Sequence, residues 1–127
     1  MDGLTINEAA ATTGWSPRML RYIERHGLIE LRRSPSGYRL YGPGELQRLR
    51  TLRELLRHFK VSLADVGFAL RLRREPELKG AVDAWFETEP HRPEDVAPDE
   101  WLRWEQDKHE KLLAAAAHTP IPVTESS

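Results

Sequence analysis

Apolar residues recur at intervals of three and four in short segments of the chain, which predicts helices of two to four turns. The first predicted helix covers residues 5–14, with Asn7 as its cap. The second starts at Ser16 and Pro17, an N-cap residue followed by a proline at the first helical position, and ends at Gly27. Two short helices joined by a glycine-containing turn predict a helix-turn-helix.

A short hairpin is predicted directly after the second helix. Residues 34–37 read Ser-Pro-Ser-Gly and have the chemistry of a turn, and residues 30–33 and 38–41 on either side suit two short strands. A hairpin in this position would form a wing beside the helix-turn-helix.

Two further helices with apolar stripes are predicted after the hairpin. The third starts at Pro43, and Ser62 is the candidate cap of the fourth, which ends in the basic residues 71–74. The stripe of the third helix is Leu46, Leu49, Leu52, Leu56 and Phe59, and that of the fourth is Leu63, Val66 and Leu70. We expect the two stripes to pack against each other in the core.

The residues after position 75 are predicted to form two more helices. A helix over residues 77–87 would place Leu78, Val82, Trp85 and Phe86 on its apolar side. Three prolines between residues 89 and 98 interrupt regular structure, and Asp99 is a candidate cap for a last helix that runs to about His118. The apolar side of the last helix would contain Trp101, Trp104, Leu112, Leu113 and Ala116. The predicted fold class is mainly α, with a two-stranded hairpin wing and C-terminal helices, divided into residues 1–75, 76–118 and a frayed tail at 119–127.

Charge changes sign near residue 76. Residues 1–75 contain 14 Lys and Arg against 8 Asp and Glu, a balance of +6, and residues 76–127 contain 5 against 12, a balance of −7. Thirteen of the fourteen cations in the first part are Arg, whose planar guanidinium suits phosphates and guanine edges. The first part is therefore expected to meet a polyanion, the alternative being a solvated surface of salt bridges.

Several classes of function are excluded by residues that the sequence lacks. The 127 residues include no cysteine, so they cannot form disulfides, thiolate metal sites or a cysteine nucleophile. The five histidines are scattered, and no glycine-rich phosphate loop or nucleophile elbow is present, so we expect no enzyme, cofactor or metal site. No long apolar stretch suits a membrane span or a secretory signal, so a cytoplasmic location is expected.

Four ordered motifs give the chain a resemblance to the DNA-binding domain of the MerR superfamily of bacterial transcription regulators. They are residues 5–10 (TINEAA), 14–29 (GWSPRMLRYIERHGLI), 37–41 (GYRLY), and the leucine-rich third helix with 59–63 (FKVSL). The resemblance covers residues 4 to about 74. The chain departs from the family pattern at Ile23, where an aromatic residue is usual, at Trp15, where a smaller aliphatic residue is usual, and at the glycine-rich residues 42–44, where the third helix usually has a polar cap.

The resemblance implies a winged helix-turn-helix whose second helix enters the major groove of double-stranded DNA. Arg18 in the first turn is then the candidate for a bidentate contact to guanine. Family positions that hold the sugar-phosphate backbone are Arg21, Tyr22, Tyr38, Arg39 and Tyr41. Arg25 is on the same side of the second helix, and Arg32 and Arg33 would add phosphate or minor-groove contacts. Glu24 is an alternative, internal partner for a nearby Arg.

The resemblance also implies a dimer that binds a pseudo-palindromic operator and distorts it so that RNA polymerase can use the promoter. For the acidic part, either the last helix pairs with its mate to form a homodimer, or the final helices fold back over the fourth helix in a monomer. Trp85, Trp101, Trp104 and Leu112 are candidates for dimer or ligand contacts. The alternative function is a small adaptor whose acidic segment binds a basic protein partner.

Overall fold

The computed structural model describes residues 3–61 and 68–108, with the backbone alone at residues 68 and 69. The predicted cap Ser62, the stripe residues Leu63 and Val66, and the last helix beyond residue 108 lie outside the described residues. The helices are α1 (Ile6–Thr13), α2 (Pro17–Arg25), α3 (Pro43–His58), α4 (Phe68–Arg74) and α5 (Pro76–Glu87). A 3₁₀ turn at Pro98–Glu100 leads into a helical stretch at residues 101–108.

The wing is an antiparallel pair of strands, β1 (Arg32–Arg33) and β2 (Arg39–Leu40). Arg32 lies opposite Leu40, and Arg33 lies opposite Arg39. Several helices with one two-stranded hairpin confirm the predicted fold class.

Helices α1 and α2 are each capped by the side chain of the residue directly before the helix. Thr5, not Asn7, caps α1: its hydroxyl accepts from the Glu8 N–H at 3.4 Å, and the Glu8 carboxylate accepts from the Thr5 N–H at 2.9 Å. The prediction of Asn7 was wrong because Thr5 and Glu8 have the spacing of a capping box. The prediction of Ser16 is confirmed, since its hydroxyl accepts from the Met19 N–H at 3.1 Å.

Helix α3 lies at the centre of the core. Its stripe residues Leu46, Leu49, Leu52 and Leu56 are all buried. Helix α1 packs on one part of α3, and the indole Nε1 of buried Trp15 donates to the carbonyl of Leu49 at 2.9 Å. Trp15 and, on α2, Ile23 are both buried, so the two departures from the family pattern suit a core.

Helix α5 belongs to the same core. Its Leu78, Val82 and Trp85 are buried, and the Trp85 indole donates to the Arg48 carbonyl at 2.8 Å and to the Thr51 hydroxyl at 3.0 Å. The change of charge near residue 76 is therefore not a boundary between two cores.

Two apolar residues predicted to be in the core are exposed instead. Phe86 on α5 is 47% exposed, and Leu70 on α4 is 45% exposed. Phe86 lies four residues after the buried Val82 and next to the buried Trp85, and periodicity alone does not resolve which edge of a stripe is covered by neighbouring elements.

Residues 88–108, which we name the C-terminal strap, run back along α3. The Gln47 side chain exchanges two hydrogen bonds with the backbone of His91. Pro90 packs on Gly44, where an added Cβ would lie 3.0 Å from the proline Cγ. Near the end of the described strap, the guanidinium of Arg50 donates to both the carboxylate and the carbonyl of Glu105. The strap is thus held by polar side chains of α3.

The position of the strap bears on two predictions. Through residue 108 the final segment is bonded to the third helix and not to the fourth, over which one alternative had it fold back. The other alternative, pairing of the last helix with its mate, stays a prediction. Asp99 does not cap the last helix, because it lies inside the 3₁₀ turn that leads into residues 101–108. Of the helices that the structure describes, none combines the length and apolar character needed to cross a bilayer.

Loss of the Glu105 carboxylate should destabilise the protein. The side chain of Glu105 is fully buried and that of Arg50 is 12% exposed, so Glu105→Gln leaves a nearly buried guanidinium without its anion. We expect a loss of about 3 kcal/mol in the free energy of unfolding, measured by urea denaturation.

The control is Glu100→Gln, which removes a carboxylate from an exposed position of the same strap. It should change stability by less than about 0.5 kcal/mol. Equal stabilities of the two variants would contradict the anchoring role of Glu105.

Candidate nucleic-acid interface

Helix α2 presents a stripe of cations to solvent. Met19, Leu20 and Ile23 are buried, which turns the opposite side of the helix outward. On that side Arg18, Arg21 and Arg25 are exposed and Tyr22 is half-buried, at the spacing of one helical stripe. The cap at Ser16 and the proline start place Arg18 in the first turn.

Two backbone hydrogen bonds hold the turn of the wing. The Ser34 N–H donates to the Tyr38 carbonyl at 2.8 Å, and the Gly37 N–H donates to the Ser34 carbonyl at 2.8 Å. Gly37 has φ of +88°, a value that favours glycine. Arg33 Nη1 donates to the Gly37 carbonyl at 3.1 Å, so Arg33 stabilises the turn while its side chain stays exposed.

The two faces of the wing have different surroundings. Because side chains alternate along a strand, the opposed pair Arg33 and Arg39 shares one face, and Arg32 and Leu40 share the other. Arg32 and Leu40 line a cavity of about 540 Å³ together with Asp99 and Trp101 of the strap. Arg32 is exposed, but it lies on the side of the wing that faces the strap.

The wing is joined to α1 and α2. Leu4, just before α1, exchanges backbone hydrogen bonds of 2.9 and 2.8 Å with Tyr41 at the end of the hairpin. The Arg39 guanidinium donates to the Glu24 carboxylate of α2. Gly3 allows this approach, since a Cβ there would lie 2.9 Å from Leu40 Cβ. The close packing of Gly3 was missed because a glycine near a chain start has no distinctive sequence signal.

A small cavity shows that α2 and the wing meet on one surface. It has a volume of about 180 Å³ and is lined by Thr5, Ile6, Arg21, Gly37, Tyr38 and Arg39. Tyr38 beside it is 69% exposed. We name the exposed set on these two elements the cationic face. It consists of Arg18, Arg21, Arg25, Arg33, Tyr38 and Arg39.

Tyr41 does not belong to this face. The residue is fully buried, and its hydroxyl has no hydrogen-bond partner among the described residues. Burial raises the pKa of Tyr41 to about 12, with a further increase from the nearby charge of Glu24. The prediction that Tyr41 contacts the sugar-phosphate backbone is therefore wrong, because its ring is enclosed by the core beneath the wing.

The tryptophans of the acidic region serve separate contacts. Trp85 is bonded to α3, and the Trp101 indole donates to the Glu105 carboxylate at 3.0 Å. Lys108 Nζ lies 5.0 Å from the centre of the Trp104 ring. Leu112, the fourth candidate for a ligand or dimer contact, lies outside the described residues. Among the described residues, no three His, Asp or Glu side chains are grouped to hold a metal.

The fold and the cationic face define a winged helix-turn-helix protein. Residues 4–71 match the model of the MerR HTH family of regulatory proteins, and because this match covers more than half of the chain, the chain belongs to that family. The resemblance seen in the sequence is confirmed. Membership in a family of regulatory proteins also agrees with the prediction that the chain is not an enzyme.

Three curated relatives are named as transcription regulators. A probable heavy metal-dependent transcriptional regulator of Haemophilus influenzae is 39% identical over 75 residues, covering 58% of this chain and 58% of that protein. Heavy metal-dependent transcription regulator 2 of Rhizobium meliloti is 36% identical over 73 residues, covering 57% of this chain and 44% of that protein. An uncharacterized HTH-type transcriptional regulator of Pseudomonas aeruginosa is 37% identical over 79 residues, covering 61% of this chain and 59% of that protein. The chain thus spans between 44% and 59% of the length of these relatives.

Tyr41→Phe should leave the protein as stable as the wild type at pH 8, or slightly more stable. The substitution removes a buried hydroxyl that makes no hydrogen bond, so the change should stay within about 0.5 kcal/mol of zero or favour the variant. Urea denaturation measures this, and a loss above about 1 kcal/mol would show that the hydroxyl is hydrogen-bonded.

Wild type and Tyr41→Phe should differ in how their stability depends on pH in alkaline solution. The Tyr41 phenol ionises near its ordinary pKa of about 10 when unfolded and at about 12 when folded, so the unfolded state loses the proton first. Wild-type stability should therefore fall more steeply than that of Tyr41→Phe as the pH rises from 10 towards 12. Parallel pH profiles would contradict the burial of this phenol.

Proposed function

We propose that the chain is a sequence-specific DNA-binding regulator of transcription that docks on a duplex through its cationic face. The observation that carries the proposal is the shared cavity at which Arg21 of α2 meets Tyr38 and Arg39 of the wing. A helix fits the major groove, and a neighbouring hairpin can follow the backbone of the same duplex. The family membership and the names of the three relatives support this function.

The residues of the cationic face would make two kinds of contact with the duplex, to base edges and to phosphates. Arg18, in the first turn of α2, is the candidate for a bidentate contact to guanine O6 and N7. Arg21, Tyr22, Arg25, Tyr38 and Arg39 would contact phosphates and fix the register. Arg33 has donors left for a phosphate beyond the one that holds the turn. Arg32 has less support, because it lies on the face of the wing that lines the strap cavity.

The wider proposal follows the resemblance. A cytoplasmic homodimer, joined through the C-terminal helix, would bind a pseudo-palindromic operator and distort it at a promoter used by RNA polymerase. Bending a DNA site of about 20 to 30 base pairs costs about 1 to 6 kcal/mol, which contacts from two wings would offset. We do not extend the heavy-metal dependence in two relatives' names to this chain, because soft metals select thiolate ligands and its 127 residues contain no cysteine.

The adaptor alternative has less support. Acidic residues of the strap such as Glu94 and Glu100 are exposed, but the strap is bonded to α3 through Gln47 and Arg50 as far as Glu105, so it is not a separate acidic tail. Co-purification of a basic protein together with a loss of all DNA affinity would favour the adaptor over the regulator.

Arg18→Ala and Arg21→Ala should weaken DNA binding in different ways. Loss of the base contact by Arg18→Ala should cost about 1 to 3 kcal/mol on a duplex selected from random DNA and far less on unselected DNA. Arg21→Ala should weaken both duplexes alike and reduce the salt slope of binding by about one unit. Fluorescence anisotropy titrations at several salt concentrations measure both effects, and equal losses on the two DNAs for Arg18→Ala would contradict its base-reading role.

The free protein should have the mass of a dimer. Light scattering at tens of micromolar chain measures this directly, and a monomer at that concentration would contradict the homodimer. A monomer in solution that pairs only on DNA would instead give two cooperative binding steps on the selected duplex.

A further inference from the structure

Helix α3 contributes an arginine to the turn of the helix-turn-helix. Arg53 lies one helical turn beyond Leu49, whose carbonyl accepts from the Trp15 indole. The Arg53 guanidinium packs against Gly14, between α1 and α2, where an added Cβ would lie 2.9 Å from both Cζ and Nη1. Gly14 has φ of +83°. Glycine at this position therefore provides both the backbone turn and the space for the guanidinium.

The Arg53 guanidinium has no acceptor in the part of the chain that the structure describes. Its Nε is buried without a hydrogen bond, and neither Nη group has a partner there. Arg48 and Arg50 on the same helix also have a buried Nε that makes no bond. Their Nη groups, however, donate to acceptors on α5 and on the C-terminal strap. Among these three arginines, Arg53 is the one whose outer donors are unused within residues 3–61 and 68–108.

The position of Arg53 is unfavourable for stability. A half-buried polar group is normally hydrogen-bonded, and the N-terminal end of a helix carries a partial positive charge that disfavours a cation. Arg53 touches Gly14, which lies three residues before the first residue of α2 at Pro17. Residues that break a local rule of stability are found mainly at functional sites. The placement of this guanidinium therefore indicates a binding site for an anion.

The turn is open to solvent beside the cationic face. Gly14 and Ser16 are exposed, and Arg18 follows in the first turn of α2. The Cα atoms of Gly14 and Arg18 are at most about 14 Å apart, and the major groove is about 12 Å wide. With Arg18 on a base edge, the turn therefore lies near the phosphates at the edge of the same groove. The first N–H groups of α2 also favour an anion at this end of the helix.

We propose that Arg53 is a phosphate-binding residue, which holds the DNA backbone at the turn of the helix-turn-helix. The inference rests on the proposed function and adds to it a contact from α3, beside the cationic face. A planar guanidinium with two unused Nη groups suits two oxygens of one phosphate. Because phosphates repeat along every duplex, the contact would strengthen binding without reading the base sequence.

The test compares Arg53→Gln with wild type and with Arg103→Gln by fluorescence anisotropy between about 50 and 200 mM salt. Arg103 is exposed on the strap, so its substitution makes the same change in net charge outside the helix-turn-helix. We expect Arg53→Gln to lose about tenfold in affinity for selected and unselected duplexes alike, with a salt slope smaller by about 0.9 unit. Arg103→Gln should change both affinities by less than about twofold and leave the slope unchanged. Arg53→Lys keeps the charge and should keep the slope.

A purely structural role for Arg53 predicts a different set of results. If Arg53 serves only to hold the turn against α3, its loss should lower the melting temperature and weaken binding without changing the salt slope. A phosphate-binding Arg53 predicts that Arg53→Gln melts at the temperature of wild type or higher, because the variant lacks an unbonded cation beside the start of α2. A lower melting temperature with an unchanged slope would overturn the inference.

Duplexes with a single uncharged methylphosphonate linkage locate the contact. At one position of the selected duplex, the neutral linkage should weaken wild type by about tenfold and Arg53→Gln by less than about twofold, because the variant has already lost this contact. If every linkage that weakens wild type weakens Arg53→Gln to the same extent, the guanidinium touches no phosphate and the inference is wrong.

The remaining outcomes separate this inference from the proposed function. Wild-type chain that binds no duplex overturns both. Wild-type chain that binds DNA and is weakened by Arg21→Ala, while Arg53→Gln keeps the wild-type affinity and salt slope, overturns the role of Arg53 alone.

Discussion

Burial of the leucine face of α3 is the constraint that positions the other elements of the structure. Leu46, Leu49, Leu52 and Leu56 are fully or almost fully buried, and each turn of the helix contributes to the same core. Two tryptophan indoles, those of Trp15 and Trp85, donate to backbone carbonyls of α3. These bonds fix the helix-turn-helix and α5 to one rigid support, since a misplaced indole N–H would lose its partner in a buried environment.

The candidate interface lies on the solvent side of the helix-turn-helix and the wing, which pack around α3. The buried side of α2 determines which of its side chains face solvent, and the pairing of Leu4 with Tyr41 attaches the wing to the start of α1. Recognition of a duplex requires a surface whose cations are held at fixed separations before binding, because ordering them on binding would cost affinity. The acidic strap lies on α3 and borders the other face of the wing. The Arg50–Glu105 pair therefore anchors negative charge near the wing without occupying the cationic face.

Local features of the fold were predictable from the sequence, and long-range ones were not. The start of α2 at Ser16, the turn at residues 34–37 and the stripe of α3 depend on neighbouring residues, and the structure confirms them. The bond between Arg50 and Glu105 joins residues 55 positions apart, and no periodicity indicates it. Tyr41 was misassigned for a similar reason: the alternation of the strand does not reveal that Leu4 pairs with it and that the core encloses its ring. The exposure of Arg18, Arg21 and Arg25 followed from helix geometry, but their neighbours on the wing required the tertiary structure.

Amide chemical shifts of the ¹⁵N-labelled chain, recorded while duplex DNA is added, test the central claim most directly. If the cationic face meets the duplex, the largest changes should fall at residues 16–26 and 32–40, while the amides of α5 change little. Changes confined to α5 and the C-terminal strap, with residues 16–40 unaffected, would contradict the account.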